Sequence, residues 1–110
     1  MLPAVNVSGD VSITSSALTY NRISKTGSET ITLKNNGGMA ISGPLEVALA
    51  ISNPSVTAIG NTGTYQNNPY WTVTTGTLAP GASASITVSF FYAVGTSFST
   101  SPTVYSGGLN

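Results

Sequence analysis

At 110 residues the chain has the length of one domain, yet only 5% of it is charged, against about 25% in an average soluble domain. Arg22, Lys25 and Lys34 balance Asp10, Glu29 and Glu46 to a net charge of zero, and three cations make too small a basic patch for nucleic-acid binding. Cys and His are both absent, which speaks against disulfides, thiolate chemistry, zinc sites and Ser-His or Cys-His nucleophiles.

Hydrophobic residues make up 40% of the chain, enough for a core. No run approaches the roughly 18 apolar residues of a membrane span, so membrane insertion is not expected. Disordered chains combine low hydrophobicity with high net charge, and this chain reverses both. Met1-Leu2-Pro3-Ala4-Val5 lacks the basic and apolar regions of a signal peptide. Turn residues punctuate the chain at short intervals and the segments between them alternate. That pattern predicts an all-β antiparallel sandwich of about seven or eight strands.

A first strand is expected within Val5 to Ile13. Next comes a hairpin with Ser24-Lys25-Thr26-Gly27 as its loop, Gly27 taking the positive φ. This register sets Arg22 opposite Glu29, Tyr20 opposite Ile31 and Leu18 opposite Leu33. Leu18, Tyr20, Ile31 and Leu33 then share the inner face, while Thr19, Asn21, Thr30 and Thr32 share the outer one. Asn35-Asn36-Gly37-Gly38 is a turn. After Gly43-Pro44 a strand carries Leu45, Val47, Leu49 and Ile51 inward, with Glu46, Ala48 and Ala50 on the other side. Asn53-Pro54 ends it, Val56 to Ile59 forms a short strand, and Gly60-Asn61-Thr62-Gly63 turns again.

Tyr65 to Pro69 reads as a polar loop leading into a strand from Tyr70 to Thr75. With Val73 facing the core, alternation puts Trp71 inside as a packing centre and leaves Tyr70 at least partly exposed. After Leu78-Ala79-Pro80-Gly81-Ala82 the longest strand points Ala84, Ile86, Val88, Phe90 and Tyr92 to one face, and Ser85, Thr87, Ser89 and Phe91 to the other. Phe98 to Tyr105 is expected as a final edge strand interrupted by Pro102. The core of the single domain spans about residues 5 to 106, and residues 107 to 110 read as the start of a linker.

Tyr20-Asn21-Arg22, Asn35, Ile41-Ser42-Gly43-Pro44-Leu45, Asn68-Pro69-Tyr70 and Leu78-Ala79-Pro80-Gly81-Ala82-Ser83 resemble bacterial secreted immunoglobulin-like or fibronectin type III-like modules. The similarity runs over roughly residues 11 to 106. It implies an immunoglobulin-like sandwich, an extracellular or cell-surface location and no catalytic residues. Such modules recur in multidomain surface proteins and beside secreted hydrolases, and a shared sandwich does not imply a shared ligand.

The residues themselves point to no catalytic, metal or cofactor site. Nothing in the sequence brings Asp10 and Glu46 together as the carboxyl pair of a glycosidase, and three scattered acids make a poor calcium site. Lys34 beside Asn35 and Asn36 reads as a solvated strand end rather than an isopeptide crosslink. Asn6-Val7-Ser8 is a chance glycosylation sequon. Three readings follow. The first is a non-catalytic structural or interaction module whose partners are neighbouring domains or proteins. The second is a carbohydrate-binding module with a patch of Tyr65, Gln66, Asn67, Asn68, Tyr70 and Phe91, where rings stack on sugars and amides bond hydroxyls. The third is a filament or pilus subunit joined by strand addition through the N-terminal segment Ala4 to Ile13 or the last edge strand.

Overall fold

A computed structural model of the chain describes residues 5–107; the N-terminal end of the Ala4 to Ile13 segment and most of the expected linker lie outside them. The described chain is all-β, with two antiparallel five-stranded sheets, an arrangement compatible with a sandwich. Among the described residues no helix is long and apolar enough to cross a membrane. The strands are β1 (Val5–Asn6), β2 (Val11–Ser15), β3 (Thr19–Asn21), β4 (Thr26–Asn35), β5 (Leu45–Ile51), β6 (Thr57–Ile59), β7 (Gly63–Tyr65), β8 (Asn68–Thr74), β9 (Ser83–Phe91) and β10 (Thr100–Ser106). One sheet has the order β1-β10-β5-β8-β7; the other runs β2-β4-β9-β6, with β3 also paired to β4.

Period-2 alternation builds the core. Leu33, Leu45, Val47, Leu49, Val88, Phe90 and Val104 are fully buried, and they come from both sheets. Trp71 packs edge-on against Phe90, ring centroids 5.8 Å apart, so the predicted inward tryptophan is a core residue. The outer face of the β2-β4-β9 sheet is a hydroxyl lattice: Thr14 pairs with Thr32 and Thr32 with Ser85, Thr30 with Thr87, Thr19 with Ser28 and Ser28 with Ser89. Thr32 and Ser85 share a hydrogen bond of 2.9 Å, Ser28 and Ser89 one of 3.0 Å. These short side chains solvate the face without charge.

The first hairpin takes a different register from the predicted one. Tyr20 pairs with Gly27 and Asn21 with Thr26, so the loop is Arg22-Ile23-Ser24-Lys25. Lys25, not Gly27, carries the positive φ, at 57°. Asn21 Oδ1 shapes the loop by accepting from the amides of Ile23 (2.9 Å) and Ser24 (3.2 Å). Gly27 is needed in the strand instead, because a Cβ there would overlap the Tyr92 hydroxyl. Ile13, on β2, takes the place opposite Leu33 that was expected of Leu18, and Leu18 is exposed. Arg22 does not face Glu29, whose partner across the sheet is Val88.

Three further expectations change. The N-terminal strand is two strands: β1 joins one sheet and β2 the other, with a 3-10 turn at Ser8–Asp10 between them. Tyr65 to Pro69 is a hairpin rather than a loop, β7 and β8 being joined through Gln66 and Asn67. The last strand runs unbroken through Pro102 and pairs with β5 from Thr100 to Ser106, with Phe98 outside it. Among the described residues, β1 pairs with its other side at Ser106 and Tyr105. Val104 accepts from Val7 N on that side (2.8 Å) and donates to Ser8 Oγ (2.9 Å). By alternation Pro102 faces the same way, so the position without an N–H lies on the open edge, as proline in a strand requires.

Two devices close the loops. Ala79-Pro80-Gly81-Ala82 is a type II turn, with Ala82 N donating to Ala79 O at 2.9 Å and Gly81 at φ 79°. Ile41 and Leu78 exchange backbone hydrogen bonds of 2.9 and 2.8 Å, joining the β4–β5 and β8–β9 connections.

Candidate functional site

The segment between β5 and β8 shapes the most evident concavity. At the end of β5, Asn53 Oδ1 accepts from Ser55 N (2.9 Å), and its amide donates to the Ser97 carbonyl (3.2 Å). The turn sends the chain into β6, which pairs with β9 at the edge of its sheet. Gly60, at φ 72°, swings the chain across to the other sheet, and Asn61 Nδ2 fixes the new direction by donating to Gly63 O (2.8 Å). There β7 adds to β8 as the opposite edge strand, anchored by Thr62 N to Tyr70 O (2.8 Å) and Thr72 N to Thr62 Oγ1 (2.9 Å).

The β7–β8 turn has positive φ at both central residues, 52° at Gln66 and 68° at Asn67. This is the sign pattern of a type I′ hairpin turn, which right-handed strand twist favours but which usually recruits Asn-Gly.

Between β6 and the β7–β8 hairpin lies a cleft of about 460 Å³. Its apolar lining is Ile51, Pro54, Val56, Ala58 and Pro69. Its polar lining is the amides of Asn53, Asn61, Asn67 and Asn68 with the hydroxyls of Thr57 and Thr64, and every lining side chain is uncharged. Asn53 and Asn61 are partly committed to their turns. Among the described residues, Asn67, Asn68, Thr57 and Thr64 make no side-chain hydrogen bond within the chain.

The structure does not assemble the predicted patch of Tyr65, Gln66, Asn67, Asn68, Tyr70 and Phe91. Asn67 and Asn68 reach the cleft, and Gln66 is exposed in the turn beside them. Tyr65 lies on the outer face of its sheet, edge-on to Tyr105 at 5.2 Å. Tyr70 points to that outer face as alternation requires but is only 6% exposed, packed with Ala48 and flanked by Tyr65 and Tyr105. Its expected exposure is therefore lost: four side chains form a small second core outside the sheet. Phe91 is exposed on β9 in the other sheet, between Thr26 and Thr57. The sequence reading missed Asn53, Thr57, Asn61 and Thr64, because Asn53-Pro54 and Gly60-Asn61-Thr62-Gly63 read only as turns.

A second cleft, of about 350 Å³, is lined by Asp10, Asn35, Met39 and Ile41 with Gly37, Gly38 and Ala40. Asn35 is 1% exposed, and its amide is committed to the carbonyls of Met39 (2.8 Å) and Leu78 (2.9 Å), while its Oδ1 accepts from Gly37 N (2.9 Å).

The acids lie on three separate elements. Asp10 is exposed in the 3-10 turn, whereas Glu46 is buried in β5 beside Thr72 and Tyr105. Glu29 is half-buried on the inner side of β4, and burial pushes its carboxyl above the usual 4.5. Near it the Tyr92 ring lies tilted against Tyr20 and edge-on to Phe98, each at 4.9 Å, and Tyr20 OH donates to Tyr92 O (2.9 Å). Burial raises the Tyr92 phenol as well, with smaller contributions from Tyr20 and the Glu29 charge.

Comparison of the chain with protein-family models, with curated proteins and with solved structures gives no match.

Proposed function

We propose that the chain is an immunoglobulin-like β-sandwich acting as a non-catalytic structural or interaction module of an extracellular or cell-surface protein. The observation that carries this reading is where the polar chemistry lies. Asn35 and Glu46 are buried within the fold, and the main cleft is lined entirely by uncharged side chains. The hydroxyl lattice on the β2-β4-β9 sheet gives a surface whose solvation depends little on pH or salt, as an exposed module needs.

Strand order supports the immunoglobulin-like part. The order β2-β4-β9-β6 has the form A-B-E-D, and β10 beside β5 has the form F-C. The connections β4 to β5 and β9 to β10 both pass between sheets, interlocking the two pairs. One departure is that β1, from the N-terminal side, holds the place beside β10 where a last strand G would lie.

The strand-addition reading is weakened by Pro102, which interrupts donor groups along the open edge of β10. Sedimentation velocity over a wide concentration range tests the module reading. A monomer throughout supports it; concentration-dependent polymers would replace it with a filament subunit.

A further inference from the structure

We propose that the cleft between β6 and the β7–β8 hairpin binds an uncharged carbohydrate segment of one or two sugar rings. This goes beyond the module reading and does not depend on it. The volume, about 460 Å³, falls within the roughly 300–1,000 Å³ of small-ligand sites.

The lining selects the ligand class. A phosphate, carboxylate or cation entering this cleft would lose hydration without meeting a counter-charge. A sugar hydroxyl both donates and accepts, and a side-chain amide offers two donors and a carbonyl acceptor to match it. Asn67, Asn68, Thr57 and Thr64 are the polar groups left free for this task. Val56, Ala58 and Pro69 supply the apolar surface against which the C–H face of a sugar ring can lie.

The site is held in advance. Thr57 is on a strand bonded to β9 and Thr64 on one bonded to β8, so the two rims belong to different sheets. Gln66 and Asn67 both occupy the left-handed region, a conformation costly for Gln, and a turn serving only to reverse the chain would favour Asn-Gly. Backbone strain of this kind is typical of binding loops. No aromatic ring lines the cleft, so affinity rests on hydrogen bonds and falls in the millimolar range.

The test is amide-resolved NMR titration of the whole chain with cellobiose, chitobiose and maltose, using inorganic phosphate and glucuronic acid as charged controls. The expected result is saturable shifts at Thr57, Thr64 and the Asn67 and Asn68 side-chain amides with at least one neutral disaccharide, and none with the charged probes. Asn67→Gly keeps the turn geometry while deleting the amide, and it should weaken binding by at least about tenfold, about 1.4 kcal/mol. Thr87→Ala, on the outer hydroxyl face, should leave binding unchanged. Overturning results are an absence of saturable cleft shifts with all three disaccharides, equal shifts with phosphate, or an Asn67→Gly variant that binds as well as the parent.

Discussion

Asn35, at the end of β4, donates its side-chain amide to the carbonyl of Leu78, forty-three residues away, at 2.9 Å. The same amide reaches Met39 O, and the Asn35 backbone receives Gly81 N (2.8 Å) and donates to Ala82 O (2.9 Å). One buried residue thus ties the β4–β5 turn to the type II turn that starts β9. Replacing it with Ala leaves Met39 O and Gly37 N without their partner, while Leu78 O keeps its bond from Ile41 N; each group left unpaired costs about 1–3 kcal/mol where it is buried. Asn35→Ala should lose about 2 kcal/mol in urea unfolding, with the slope unchanged.

Gly27 and Tyr92 form the second fixed point. A methyl at Gly27 would occupy the space of the Tyr92 hydroxyl, and the Tyr92 ring is held by Tyr20 and Phe98. Gly27→Ala should therefore cost about 1–3 kcal/mol as an overpacked site. Adding Tyr92→Phe removes the nearest atom, so the double variant should lose less than the sum of the two single changes. Thermal unfolding of the four proteins in a double-mutant cycle measures that difference.

These two residues also show what was legible in the sequence. Alternation correctly placed Ile31, Leu33, Val47, Leu49, Trp71, Val88 and Phe90 inside, since period 2 is a local property of each strand. The β3–β4 register was not local. Gly27 looks like a turn glycine, but its lack of a side chain serves Tyr92, sixty-five positions later, while Lys25 takes the left-handed turn conformation. Alternation also gives the side on which a residue points without saying whether that side is covered. Tyr70 and Ala48 point outward and are still buried, because β7 folds Tyr65 over them. That hairpin was unreadable because Gln66-Asn67 is an uncommon pair for its turn. The amides of the candidate site were named in part, as Asn67 and Asn68. Its other rim, on β6, comes from the opposite sheet.

Glu29 sets a pH dependence. Its carboxyl is raised by burial, so the folded state holds its proton more tightly than the unfolded chain does. Its contribution is therefore most favourable below the ordinary value of 4.5, and it is lost as pH rises from there through the raised folded value. Glu29→Gln should remove this loss. The stability difference between variant and parent, read from urea midpoints, should grow in favour of the variant across that acidic window and stay constant above it.

The left-handed conformation at Gln66 gives a change in the opposite direction. Asn tolerates this region better than Gln, so Gln66→Asn should stabilise the hairpin by about 0.5–1 kcal/mol. A raised midpoint in thermal unfolding is the expected outcome, and an unchanged or lowered one would remove strain from the description of the turn.

Urea unfolding of the isolated chain, followed together by Trp71 fluorescence and far-UV circular dichroism, decides whether it stands alone as a module. Trp71 is the only tryptophan and sits in the core against Phe90, so its emission reports the packing of the two sheets. A self-contained module gives one cooperative transition, coincident by both probes and unaffected by an added peptide of residues 1–13. A chain that is unfolded or polymeric alone, and that becomes cooperative only when the peptide is supplied, would contradict the module and make the chain an acceptor of another chain's strand.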